Sequence, residues 1–223
     1  MTLTPESVAL WLKEHPDFFE TQSALLTEIQ LPHPHGTHAV SLAERQMLAL
    51  RDKNRALEAR LGELIGYAET NDSTSAKVHR LALGLIRAQT LSAVLDLVRT
   101  LLQEDFAVPG MAMRLWGLPQ DRDRPEFFAV SESLRDFVVD LDAPHCSHEA
   151  VPDSTLWLDA QAPAPQSFAL LPLRDTETFG AILLASPDRK RFYPDMGTFY
   201  LTRIGELVSA ALRAHARKAD DGD

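Results

Sequence analysis

From Val40 to about Val78 apolar residues return at heptad spacing with charged residues between them, which predicts one long helix. With Val40 at position a, Met47, Asn54, Leu61, Ala68 and Ser75 follow at a, and Ala43, Leu50, Leu57, Leu64, Asn71 and Val78 at d. Leu at three successive d positions is the seam of a two-stranded coiled coil, so a parallel homodimer is expected through Met47, Leu50, Asn54, Leu57, Leu61 and Leu64. Asn54 inside that seam lowers stability but selects parallel alignment and two strands. Lys53 at g faces Glu58 at e of the partner helix in such a dimer. Gly62, Gly66 and the polar run 71–75 weaken the helix, and a soft joint is expected near Asn71.

The pattern elsewhere is shorter-ranged. Thr4, Pro5 and Glu6 form a helix start, with Val8, Trp11 and Leu12 on one face and Phe18, Phe19, Leu25, Leu26 and Ile29 on a second short helical segment. Two helices of that size cannot cover Trp11 and both phenylalanines themselves, so they are expected to meet the long helix, the partner chain or another protein. Pro32, Pro34 and Gly36 mark a linker, and Ser41 with Glu44 reads as a capping box for the long helix. Thr90 caps a further helix carrying Leu91, Val94, Leu95, Val98 and Leu101.

After Phe106 the period changes to two. Strands are expected at 111–116, 127–130, 155–158, 167–173 and 179–185, with a short helix at 133–141 and a final amphipathic helix at 195–215. The strands 167–173 and 179–185 are almost wholly apolar, as strands covered on both faces are. The expected domains are a helical segment 1–39, a dimerising helix 40–75, a sheet domain 76–216 and a tail 217–223 with nothing to bury. The fold class is therefore α+β, with helices and a coiled coil leading into an antiparallel sheet flanked by helices. First and last helices share one face of that sheet, and the segment 131–166 closes the other over a pocket. Such an order resembles the GAF and PAS sensor domains.

The pieces WLKEHPDFF (11–19), LPHPHG (31–36), AVSLAERQ (39–46), NRALEARLGELI (54–65), LPLR (171–174) and RFYPDMGTFYL (191–201) resemble the bacterial DUF 484 family across nearly the whole chain. The resemblance implies a GAF-like fold and brings no catalytic residue. Family members are often encoded beside a tyrosine recombinase of chromosome-dimer resolution. A Cys-Gly pair is usual in the family near Cys146, whereas Ser147 follows it here.

Charge and chemistry narrow the function. The net charge is −10, spread as −4 over 1–39, −1 over 40–72 and −5 over 73–223, so no segment has the basic footprint of a nucleic-acid binder. No apolar run approaches the roughly 18 residues of a membrane helix, and the first residues lack the basic-then-apolar order of a signal peptide. A single cysteine cannot form an intrachain disulfide and suits a reducing cytoplasm. Cys146 lies between His145 and His148, but adjacent ligands fit a zinc tetrahedron poorly, and an ordinary half-buried cysteine is the better reading. His33, His35 and His38 sit in the proline-held linker, and Arg174 reads as a salt-bridged hairpin arginine. Trp116 and Trp157 are core aromatics or cavity walls, and the pocket is placed at Cys146, Trp157, Phe168, Leu170 and Trp116, with Cys146 and Trp157 at its rim. No motif names a cofactor or metal.

The expected function is a non-catalytic, dimeric sensor or adaptor binding a small molecule or a protein, with the N-terminal helices as a second docking face. The alternative is a scaffold without a ligand. A cysteine-dependent redox enzyme is disfavoured, because methionine sulfoxide reduction of the kind some GAF-fold proteins perform needs a resolving thiol that this chain lacks.

Overall fold

The computed structural model describes residues 4–32, 39–116, 118, 123–158 and 164–220, with side chains described except at 26–28, 30–32, 39–44 and 217–220. Contacts divide the chain into two compact units, 1–69 and 70–223, at a boundary inside the long helix.

In the first unit helix α1 (Pro5–Glu14) starts as expected: the Ser7 N–H donates to Thr4 Oγ1, the Ser7 side chain returns the bond to Thr4, and Pro5 takes the first helical position. Helices α2 (Phe18–Thr21) and α3 (Ser23–Glu28) follow. Strands β1 (Gln30–Pro32) and β2 (Ala39–Ser41) pair antiparallel, so Val40 lies in a strand and the helix starts only after Ser41. The linker 33–38 falls outside the described residues, and so do the side chains of the Ser41–Glu44 capping box. None of the residues of α1 and α2 is buried, and Trp11 stacks on His15 at 4.5 Å while Phe18 meets it edge-on at 5.2 Å.

Helix α4 (Leu42–Arg87) is continuous through 71–75. The polar run that weakens it is held locally: the Thr74 hydroxyl donates to the Thr70 carbonyl at 2.9 Å and the Tyr200 hydroxyl to the Asn71 carbonyl at 3.0 Å. Beyond that point the apolar stripe turns inward. Val78, Leu81 and Leu85 are buried in the core of the second unit, whereas Leu50, Leu57, Leu61 and Leu64 are all more than half exposed.

The second unit is a four-stranded antiparallel sheet in the order β3 (Gly110–Leu115), β6 (Thr178–Ser186), β5 (Ser167–Arg174), β4 (His145–Ser147). Helices α5 (Leu91–Glu104) and α7 (Phe199–Asp220) share one face with the end of α4, burying Val94, Val98, Ile204 and Val208 against Ala169, Leu171, Ile182 and Leu184. Helix α6 (Glu132–Val139) covers the other face, where Leu134 and Val138 pack on Phe168, Leu170 and Leu183.

Several expectations need correction. The segment 127–130 is no strand: Pro125–Phe127 forms a 3₁₀ turn, because Pro125 has no N–H to give a ladder and Glu126 is drawn inward by two arginines. The segment 155–158 is also a 3₁₀ turn (Ser154–Trp157), entered through Asp153 in the left-handed region at φ 66° and tied by Ser154 Oγ to the Val151 carbonyl at 2.6 Å. Arg174 has no ion pair among the described residues; it donates to the Leu141 carbonyl. Helix α7 runs on to Asp220, so residues 217–220 continue a helix where a structureless tail was expected. Propagating an existing helix costs little.

Candidate functional site

Because both faces of β5 are buried, its sequence shows no apolar–polar alternation, and packing alone assigns the faces. Ala169 and Leu171 meet the helices, and Phe168 and Leu170 meet the covering segment. Trp116 and Trp157 pack with Phe168 and Leu170, so four of the five proposed pocket residues stand together. Cys146 is set apart from them. Its cross-strand partner is Ala169, and paired residues share a face, so Cys146 lies against the helix-side core. Burial pushes its thiol up to about 11, which leaves it protonated and unreactive at neutral pH. His148 Nε2 meets the Arg189 carbonyl at 3.1 Å, while the His145 ring stands edge-on to Phe137 at 5.5 Å. Among the described residues no group of three His, Cys, Asp or Glu side chains is placed to hold a metal.

The covering side of the central cluster is tightly filled: Leu134, Val138, Leu170 and Leu183 are each at most 2% exposed. Open space lies at the β3 edge instead. A cavity of about 220 Å³ is walled there by Arg99 and Gln103 of α5, Met111 and Arg114 of β3, Pro125, and Trp157.

The electrostatics of this edge come from five charged side chains on three elements. Glu126 is 2% exposed and accepts from Arg99 Nη2 at 2.5 Å and from Arg124 Nε at 3.3 Å. Arg124 reaches on to Asp96 at 2.5 Å and to Ser92 Oγ. Burial raises the Glu126 carboxyl, but the hydrogen bonds from Arg99 and Arg124 outweigh it and hold the group below its ordinary range. Hydrogen bonding to Arg124 lowers Asp96 as well. Arg114 is different. It is 8% exposed, lies over the rings of Trp157 (5.5 Å) and Phe128 (5.9 Å), and gives one hydrogen bond, Nη1 to the Met113 carbonyl at 2.9 Å. Its Nε has no hydrogen-bond partner among the described residues, and burial depresses its pKa. Sequence reading passed over Arg114, although a charge at an inward position of MAMRLW, in a strand covered on both faces, is itself a signal.

The dimer residues Met47, Leu50, Asn54, Leu57, Leu61 and Leu64 all lie on α4 of the first unit with exposed side chains, and Met47, Leu50, Asn54 and Leu57 border one shallow groove.

Comparison with known proteins agrees with this geometry. The chain is 25% identical over 220 residues to the uncharacterized protein YigA of Salmonella typhimurium, covering 94% of this chain and 91% of that one. The GAF domain of a phosphoenolpyruvate-protein phosphotransferase from Coxiella burnetii superposes with a TM-score of 0.51 at 12% identity, covering 67% of this chain and 97% of that domain. The corresponding GAF domain from Acinetobacter gives a TM-score of 0.47 at 15% identity over 66% of this chain and 96% of that one. The likeness to the Coxiella burnetii domain makes the fold GAF-like. No helix among the described residues is long and apolar enough to cross a membrane. A family model described as "Protein of unknown function, DUF484" matches residues 1–216, and the chain belongs to that family.

Proposed function

We propose that this protein is a non-catalytic, cytoplasmic, dimeric sensor or adaptor, in which the GAF-like unit takes a small molecule or protein and α4 joins two copies. The exposed stripe of α4 carries this reading. Leu50, Leu57, Leu61 and Leu64 are 66%, 53%, 58% and 63% exposed, at heptad spacing, on a helix whose opposite end enters the GAF-like core. Burying the exposed part of each leucine against a second copy contributes on the order of 1–2 kcal/mol. Asn54 amid them favours a parallel pair over larger assemblies. A ligand that shifts packing around α5 and α7 would act on Val78, Leu81 and Leu85 of the same helix, which gives the coil something to transmit. Leu10 and Trp11, 59% and 45% exposed on α1, serve in this reading as a protein-docking face.

Light scattering of Leu57→Asp tests the assembly: the parent is a dimer and the variant a monomer, and an unchanged oligomer sinks the reading. One observation favours the alternative of a ligand-free scaffold, namely that Trp116, Trp157 and Phe168 fill the covering face around Leu170. Native mass spectrometry of protein purified from cells separates the two, since a sensor retains added mass and a scaffold does not.

A further inference from the structure

Three guanidiniums, Arg99, Arg114 and Arg124, stand at the β3 edge with two carboxylates, Glu126 and Asp96. Glu126 answers Arg99 and Arg124, and Asp96 answers Arg124 a second time. Arg114 has no ion pair among the described residues, yet it is more than nine-tenths buried and lines the cavity of about 220 Å³. Glu126 favours its charge only through space, and a buried guanidinium without an ion pair loses much of its hydration and is stable only if something further answers it. The faces of Trp157 and Phe128 answer it in part, through the negative charge of their π clouds. They leave the Nη donors beyond the bond to the Met113 carbonyl for another partner, while Nε is enclosed with no hydrogen-bond partner among the described residues.

We propose that this cavity is a binding site for a small carboxylate monoanion, gripped by Arg114 beside the Trp157 ring. This inference deepens the sensor reading by naming the class of ligand, and it rests on that reading only for its biological meaning. Charge favours a monoanion, because three guanidiniums stand against the two carboxylates that the ion pairs of this cluster name among the described residues. Geometry selects a planar head, since the guanidinium fork pairs two parallel N–H groups with the two oxygens of a carboxylate. Size selects a small one: the cavity is below the roughly 300–1,000 Å³ of sites for drug-sized ligands. Met111, Pro125 and Leu158 give the rest of the molecule an apolar wall.

The test uses the full chain, with sodium acetate, pyruvate, lactate, benzoate and inorganic phosphate added separately at constant ionic strength against a chloride control. At least one carboxylate should raise the melting temperature saturably and bind in calorimetric titration. Arg114→Met should keep the fold and weaken that binding roughly tenfold or more, as loss of a charge-assisted bidentate contact does. Trp157→Leu, which leaves the charge in place, should weaken it less and provides a second reading should the methionine variant fail to fold. Parent protein that responds to none of the carboxylates overturns the proposal, as does a response confined to phosphate or one equal in Arg114→Met and the parent. Light scattering of the same samples keeps the two readings separate. A dimer without a carboxylate response defeats this site alone, whereas a monomer that binds carboxylate defeats the coiled-coil sensor and leaves the site standing.

Discussion

Replacing Glu126 by glutamine removes the charge at the centre of the β3-edge cluster while keeping size and one acceptor oxygen. In the parent the carboxylate accepts from Arg99 at 2.5 Å and from Arg124 at 3.3 Å, with the Glu126 side chain 2% exposed. Hydrogen bonds to a charged group contribute about 1.5–3 kcal/mol each. Both arginines keep some water, Arg99 being 38% and Arg124 21% exposed, so the lower end applies and solvent screening reduces it further. The substituted amide retains one of the bonds in weaker form, and Arg124 keeps Asp96. The expected loss is about 2 kcal/mol, or a melting temperature lower by roughly 4–8 °C for a unit of this size. Urea unfolding at pH 7 measures it, with an unchanged slope showing that the native state is otherwise intact. The pH dependence supplies a second reading. The folded carboxyl titrates below its unfolded value of about 4.3, so its contribution is fully present above that pH and is lost as the pH falls through the folded value. The gap between parent and Glu126→Gln should therefore narrow in acid. A loss under about 0.5 kcal/mol at pH 7, or a gap that widens below about pH 4, would refute the view that this carboxylate holds the Pro125 turn to α5.

Two further outcomes follow from packing and burial. A Cβ at Gly180 would sit 2.7 Å from the Arg114 carbonyl oxygen and 2.7 Å from Leu115 Cδ2, so Gly180→Ala must part β3 from β6 and should lower stability by about 1–3 kcal/mol in urea; unchanged stability would mean the strands can separate freely. With its thiol pushed up to about 11 by burial, Cys146 should react with iodoacetamide at pH 8 roughly a hundredfold more slowly than a free thiol, the rate climbing about tenfold per pH unit; alkylation at the rate of a free cysteine contradicts the burial assigned to it.

Local chemistry was legible in the chain alone. Thr4 and Thr90 accept at their helix starts, the α5 stripe of Val94, Leu95 and Val98 is buried, and the hairpin joining β5 and β6 forms where polar residues interrupt two apolar runs. Each of these depends on contacts within a few residues, where spacing and capping chemistry decide the outcome. The GAF-like order of helices around an antiparallel sheet followed from the same periodicities. What only the tertiary structure decided depends on partners distant in sequence. Phe168 and Leu170 face the covering segment because β5 lies central in the sheet, and no alternation in an all-apolar strand records that choice. Cys146 is taken from the expected pocket by a strand register that pairs it with Ala169. The apolar run 127–130 forms no strand and is entered through the 3₁₀ turn Pro125–Phe127, because Arg99, 27 positions earlier than Glu126, pulls that carboxylate into the interior. Arg114 becomes a site only when Trp157, Phe128 and α5 converge on it, since the cost of a buried charge is set by which partners the fold brings to it.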